Sequence, residues 1–469
     1  MFLSKKNNVL IFSVLFILIG IFLRTYQLNF DSYWLDEMIS YWVADPNIPF
    51  KDTLVRRDHI EQTPVLFDLI LKKYLEFFSY EPEVGRHVPL FFGILSIPLL
   101  GILSYQISKN NSYLLTIFLT SINVYLISYS QETRPYSFIF FLSIINLIFY
   151  YKIISENLTF FKKIFFFILF IFFSVLTFSS HPFTLIILFS QILNSIYFFI
   201  LFKKKNYLFF FSIPFILLFY LLFNLNYIIA QLSFSEFFLA HESWKFYYNY
   251  YFSRFFGSRI MGLIYLSTLI YLIIIFRKKI FLTFNNYLLL IFILLFSYII
   301  PLVYSYIKTP VLTDRYIIFV LIPILILIPS LIYEIKKTKI QIFIFVFILA
   351  PTIVNNFMEI KDRVPAKPEF KKFLSSIEKS GITNLTVNAP KRELKLVENY
   401  IQTLKEFKNQ NYTIFNIHEV SKNEKMIWVI CYEPLVGFDC ALPDHKKDTW
   451  TLIETKQNHF LNSRLYEIK

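Results

Sequence analysis

The chain has 469 residues, of which 56% are hydrophobic and only 17% charged, with a mean hydropathy of +0.55. A soluble domain carries about 25% charged residues, so the composition excludes an ordinary soluble globular protein and predicts a membrane protein with several spans. The net charge of +14 does not indicate a nucleic-acid partner, because the cations sit in short clusters between apolar runs, where they set membrane orientation.

The first apolar run, 7–23, is followed by Arg24-Thr25-Tyr26 rather than a small-residue cleavage site, so it reads as a span and not as a cleaved leader. Next comes DSYWLDEMISYW, 31–42, with adjacent carboxylates Asp36 and Glu37 among aromatics. Two acids just past a span are costly unless they have work to do. The plainer reading is an N-cap and first-turn acid of a surface helix starting near Met38. Segment 63–79, TPVLFDLILKKYLEFFS, is apolar on one face and gathers Asp68, Lys72, Lys73 and Glu76 on the other. Apolar runs long enough to cross a bilayer follow at 87–108, 110–131, 135–151, 206–230, 260–276, 280–305, 316–333 and 340–358. The run 164–202 is twice the length of one span and turns at Ser179-Ser180-His181-Pro182, which brings the expected number to eleven.

Orientation follows from the cations. If 63–79 lies along the outer leaflet instead of crossing, one side of the membrane receives Lys5-Lys6, Lys109, Lys152 with Lys162-Lys163, Lys203-Lys204-Lys205, Arg277-Lys278-Lys279 and Lys336-Lys337-Lys339. The positive-inside rule makes that side cytoplasmic. The N-terminus is then cytoplasmic, the first outer loop runs over about 24–86, and the C-terminal tail is extracytoplasmic.

From 359 the chain changes character, with Lys, Glu and Asn and ordinary alternating patterns. EFKKFLSSIEK and KRELKLVENYIQTL read as amphipathic helices, and NLTVNAP, YTIFNI, KMIWVICYE and WTLIETKQ as strands. The expected architecture is an all-α polytopic membrane body, 1–358, with juxtamembrane helices in its first outer loop, and a small extracytoplasmic α/β domain, 359–469. Cys431 and Cys440 show no C-x-x-C spacing, which argues against a metal site; an extracytoplasmic disulfide and two reduced thiols both stay open.

This topology places Asp36, Glu37, His59 to Pro64, Ser130 to Tyr136, His181, the 231–259 loop and Asp314-Arg315-Tyr316 at one depth on one side. Such a set suits sugar transfer from a polyprenyl phosphate. A carboxylate deprotonates the acceptor hydroxyl, an arginine or a divalent metal cation held by carboxylates stabilises the leaving phosphate, and a groove between spans holds the lipid. Plainer readings stand beside this one. Glu132 and Arg134 form an ion pair at a span end with Pro135 opening the next helix, His181 is a polar turn residue, Asp314-Arg315-Tyr316 is an interfacial anchor, and WKFYYNYYF, 244–252, is an aromatic belt.

The order of motifs is an Asp-Glu pair after the first span, a Pro-containing start to an amphipathic segment, GRHVPLFFGILS, SYSQETRPYSF, SSHPF, and DRY opening a late span. It resembles the GT-C membrane glycosyltransferases of the protein-mannosyltransferase and lipid A aminoarabinose transferase-like type, nearest to bacterial members that modify lipopolysaccharide core or lipid A. The match covers roughly 8–200 well and 300–335 weakly. It implies inverting transfer from a polyprenyl-phosphate-sugar donor to a lipid, glycan or protein acceptor at the outer face of the cytoplasmic (inner) membrane. It also implies that Asp36 is the catalytic base with Glu37 supporting it, and that the region of Glu132 and Arg134 contacts donor phosphate or a divalent metal. Tyr136, His59, Gln62, His181 and Arg315 complete the expected substrate-binding set. The family often has His-Pro-Pro or Lys-Pro-Pro where this chain has Gln62-Thr63-Pro64, with His59 as the nearby substitute. The alternatives are a flippase for a lipid-linked sugar, which requires ionisable groups within spans that these runs mostly lack, and a passive anchor for a partner-binding tail.

Overall fold

Apolar stretches of about 20 residues close their own backbone hydrogen bonds as helices, the form a single segment takes to cross a bilayer. A computed structural model describes residues 6–60, 63–154, 159–202, 207–233, 251–282, 287–308, 310–387, 391–421, 424–431 and 440–469. Among these, ten helices are long and apolar enough to cross a membrane, and a pair bent by 58°, Tyr113–Ile122 with Val124–Ser130, brings the number to eleven when counted as one broken span. The protein is a multi-pass membrane protein of the predicted class. Span ends shift in places: helix Arg259–Leu282 runs through the Arg277-Lys278-Lys279 cluster, and its successor starts at Leu288 rather than 280.

Contacts divide the chain into two units. One comprises Met1–Tyr26, Glu61–Phe67 and Pro89–Asp362, and the other Gln27–Ile60, Asp68–Val88 and Arg363–Lys469.

The first unit is helical. At its centre is Asp314–Tyr333, which is apolar almost all round and 89% buried; Tyr113–Ile122, Arg259–Leu282, Leu288–Ile307 and Thr338–Lys361 pack on it. Its opening residues, Asp314–Val320, are wound as a 3₁₀ helix. Polar side chains inside the bundle satisfy one another: Asn146 donates to Ser174 (2.8 Å), Gln191 to Asn146 (2.7 Å) and Asn194 to the Tyr150 hydroxyl (2.9 Å). Such bonds hold Tyr136–Ile153, Phe160–Phe178 and Leu185–Phe202 in register.

Asn123 makes the bend. Its backbone leaves the helical region at φ −69° and ψ 115°, its Oδ1 accepts from the Leu126 N–H as the N-cap of the second half, and its Nδ2 donates to Phe255 O at 2.9 Å. Ending a helix there orphans its last carbonyls. Arg24 donates to Thr120 O and Ser121 O, each at 2.9 Å, and Asn356 to Ile122 O at 2.6 Å.

The amphipathic segment forms helix Leu66–Phe77, whose 12 residues span about 18 Å, short of a hydrocarbon core of about 30 Å. Its charges do not all share a solvated face as the spacing predicts. Asp68 and Lys72 are buried, Asp68 against Arg57 at 3.0 Å and Lys72 against Asp45 O and Ile48 O at 2.5 and 2.7 Å. Positions 68, 71, 72 and 75 lie on one covered side, which leaves the exposed pair Lys73–Glu76 at 2.6 Å.

In the second unit the tail forms a five-stranded sheet: β1 (Asn384–Val387), β2 (Thr413–Asn416), β3 (Met426–Cys431), β4 (Trp450–Asn458) and β5 (Leu461–Ile468), in the order β2-β1-β3-β5-β4. β2, β1 and β3 are parallel; β3, β5 and β4 are antiparallel. Helices Phe370–Ile377 and Lys391–Thr403 carry the apolar faces their spacing predicts. Sequence reading missed β5, although Leu461, Ser463 and Leu465 alternate inward behind a turn in which Phe460 takes φ 53°. Cys431 and Cys440 are joined as a disulfide with Cα atoms 5.2 Å apart.

Candidate active site

The acidic pair opens helix Leu35–Val43, whose N-cap, Trp34, makes no side-chain capping bond and where carboxylates meet the positive end of the helix dipole. The two acids have different surroundings. Asp36 is half-buried, and Glu37 is 0% exposed. Arg86 takes Glu37 in a fork, Nε to Oε1 at 3.1 Å and Nη2 to Oε2 at 3.2 Å, and Lys367 adds a bond to Oε2 at 2.6 Å. Burial works to raise the Glu37 carboxyl, but the charges of Arg86 and Lys367 outweigh it and hold the group below its usual range. The rest of the Arg86 guanidinium donates to Leu28 O, Asp31 O and Ser32 O.

Lys367 belongs to an extended segment, RVPAKPEFK, stiffened by Pro365 and Pro368. Three cations four residues apart meet three acids: Arg363 with Asp31 at 3.2 Å, Lys367 with Glu37, and Lys371 with Glu83. The Ala366 N–H also donates to Asp31, at 3.0 Å. Tyr33 stacks on Tyr400 at 5.4 Å and Tyr41 on Tyr80 at 4.3 Å; burial pushes the hydroxyls of Tyr41, Tyr80 and Tyr400 up, so all three are neutral. A small cleft nearby is lined by Asp31, Tyr33, Glu83, Arg86, Lys371 and Tyr400, among others. Arg86 and Lys367 were not singled out from the sequence. The signal for Arg86 was its place in GRHVPLFFGILS, whereas Lys367 lies in the tail, far along the chain from Glu37.

In the first unit, SQETRPY crosses from the bent helix into Tyr136–Ile153. The Gln131 amide donates to Arg24 O and Tyr26 O, both at 2.9 Å, the Arg134 N–H donates to Glu132 O at 2.6 Å, and Ser137 donates to Tyr129 O at 2.8 Å. Glu132, Arg134 and Tyr136 are all buried. The guanidinium of Arg134 lies 5.8 Å from the Tyr136 ring centre, and that of Arg315, from the other end of the unit's sequence, 5.7 Å from the same ring. Tyr136 also meets Tyr129 edge-on at 4.9 Å. Arg315 adjoins Tyr316, whose ring is 4.7 Å from His181. His181 Nδ1 accepts from the Phe183 N–H as the cap of the short helix Pro182–Thr184, so the predicted turn residue has a structural task of its own.

Arg134, Tyr136 and Arg315 therefore come together, with His181 one ring away. In the second unit Glu37 forms a cluster with Arg86 and Lys367, and Asp36 precedes it in the chain. His59 is in the last turn of helix Phe50–Ile60; its side chain, Gln62, and residues 244–250 of the aromatic run lie outside the described residues. Among the described residues no three His, Cys, Asp or Glu side chains gather as metal ligands. No chemical step is assigned through a metal. Two guanidiniums within 6 Å of one ring concentrate positive charge beside Tyr136.

No family model matches the sequence, and no curated protein sequence matches it. Solved structures do resemble the fold. The apo form of ArnT from Cupriavidus metallidurans aligns over 97% of both chains with a TM-score of 0.60 at 9% identity. ArnT bound to undecaprenyl phosphate aligns over the same shares with a TM-score of 0.58 at 10% identity. The Archaeoglobus fulgidus oligosaccharyltransferase AglB, in complex with an inhibitory peptide and a dolichol-phosphate, aligns over 88% of this chain and 61% of its own length, with a TM-score of 0.51 at 12% identity. The chain has the fold of the GT-C membrane glycosyltransferases, helical body and C-terminal sheet domain included, in agreement with the resemblance carried by its motifs.

Proposed function

We propose that the chain is a glycosyltransferase that moves a sugar from a polyprenyl-phosphate donor to a lipid, glycan or protein acceptor. The observation that carries this reading is the pair of guanidiniums, Arg134 and Arg315, on the Tyr136 ring. Undecaprenyl phosphate in ArnT and dolichol-phosphate in AglB, two proteins of this fold, support a lipid phosphate as the anion. Asp36 takes the proton of the acceptor hydroxyl, whose oxygen attacks the anomeric carbon from the face opposite the phosphate. The bond from that carbon to the phosphate oxygen breaks, and the polyprenyl phosphate leaves with its new charge on Arg134 and Arg315. Glu37 cannot share the base role, because Arg86 and Lys367 occupy its carboxylate; it supports Asp36 by fixing the helix turn both stand on. Lysine clustering puts the reaction on the extracytoplasmic side of the inner membrane, and the disulfide in the tail supports an oxidising compartment.

The test is mass spectrometry of envelope glycolipids and glycoproteins from a deletion strain carrying the wild-type or Asp36→Asn gene. The wild type restores one sugar that the deletion lacks and the variant, inserted at equal level, does not. Full restoration by Asp36→Asn removes Asp36 as the base.

A further inference from the structure

Arg24 is 1% exposed, at the end of the first span. Among the described residues it makes no ion pair. Its guanidinium is met instead by Gly20 O, Thr120 O and Ser121 O, the last two at the carbonyl end of helix Tyr113–Ile122. A buried cation without a carboxylate is expensive, and the negative end of a helix dipole offsets only part of that. The residue also works from its other side: its own carbonyl receives the Gln131 amide. Arg24 thus bonds both halves of the helix broken at Asn123, by side chain before the break and by backbone after it. Three residues beyond Gln131 stands Arg134.

We propose that Arg24 and Gln131 are positioning residues: together they fix the 58° bend and so set where Arg134 meets Tyr136 to receive a lipid phosphate. This rests on the reading of Arg134 and Arg315 as a phosphate site. Neither residue touches the substrate. Both act through the SQETRPY turn, which has the bend on one side and the start of helix Tyr136–Ile153 on the other.

The test uses the purified full chain in detergent with undecaprenyl phosphate as probe, affinity being read by native mass spectrometry. Gln131→Leu and Arg24→Ala weaken binding about tenfold, the size of a typical coupling between sites. Arg24→Lys recovers most of the loss, because an ammonium still serves the terminal carbonyls. Combined with Arg134→Ala, each adds little to what Arg134→Ala does alone, since positioning a removed group has no value. Should Arg24→Ala fail to fold, Gln131→Leu carries the same comparison. Wild-type affinity in Gln131→Leu, or losses that simply multiply with that of Arg134→Ala, overturn the proposal and leave the phosphate site standing. Equal binding by wild type and Arg134→Ala, or no binding by the wild type, overturns the phosphate site and this inference with it.

Discussion

Replacing Arg86 by Met isolates the electrostatic core of the acidic cluster. The substitution keeps an apolar stem of similar length and deletes both arms of the fork on Glu37, together with three bonds to carbonyls. Glu37 stays fully buried and keeps its bond to Lys367. Breaking a buried pair in this way costs about 3–5 kcal/mol, mostly the penalty for the charge left behind. The dependence on pH carries the sign. In the wild type the Glu37 carboxyl is lowered, so the stabilisation is complete above the unfolded carboxyl value of about 4.3 and is lost as pH falls through the folded value. In Arg86→Met one of the two balancing charges is gone while burial, which raises the group, remains. The destabilisation relative to wild type therefore grows from about pH 4 towards neutrality. The assay is thermal unfolding in detergent at several pH values, with Glu37→Gln and the double variant alongside. The double variant is more stable than the sum of the two single losses, because it has no buried carboxylate deprived of its arginine. An Arg86→Met protein that unfolds at the wild-type temperature at neutral pH, or a gap that does not change with pH, refutes the reasoning.

Arg315→Ala weakens undecaprenyl phosphate binding by about 1.5–3 kcal/mol, the worth of a hydrogen bond to a charged group, and Arg315→Lys recovers only part of it because the ammonium lacks the planar fork; lipid titration of the two variants checks both statements. Reducing the Cys431–Cys440 bond, which closes nine residues of sequence, lowers tail stability by about 2.5 kcal/mol on loop-closure entropy. Thermal unfolding with and without dithiothreitol measures this, and the effect must vanish in the double serine variant. Lys336→Cys and Lys408→Cys, both at exposed positions, report orientation: an impermeant maleimide labels position 408 in spheroplasts and position 336 only after lysis.

Much of the architecture was legible because a span is chemically uniform. Runs without charge are visible one residue at a time, and the lysine clusters between them carry their own sign. The turn at His181 was readable for the same reason, since four small, polar or cyclic residues interrupt an apolar stretch that long. Asn123 was not. One amide in TSINVYLIS is unremarkable until its side chain is seen to cap the helix after it, and hydropathy stays high across the break. Helix Leu66–Phe77 failed differently. Its spacing places Asp68 and Lys72 on one side, but spacing says nothing of what covers that side, and here Arg57 and the carbonyls of Asp45 and Ile48 do.

The site shows the same division more sharply. Residue types and local order bring out Asp36, Glu37, Glu132, Arg134 and Arg315, since acids and arginines at span ends stand out against apolar sequence. The partners that settle what each can do come from elsewhere in the chain. Glu37 looks equal to Asp36 until Arg86 and Lys367, 49 and 330 residues away, close on it. That closure bears on Glu37 directly, because a carboxylate held by two cations is a poor proton acceptor. Lys367 matters further because it sits in the tail. A deletion of the tail removes a cation from Glu37 and releases Asp31 and Glu83 as well. Loss of transfer in a truncated chain is therefore no sign of acceptor docking by the tail until Lys367→Ala, with the tail intact, has been measured beside it.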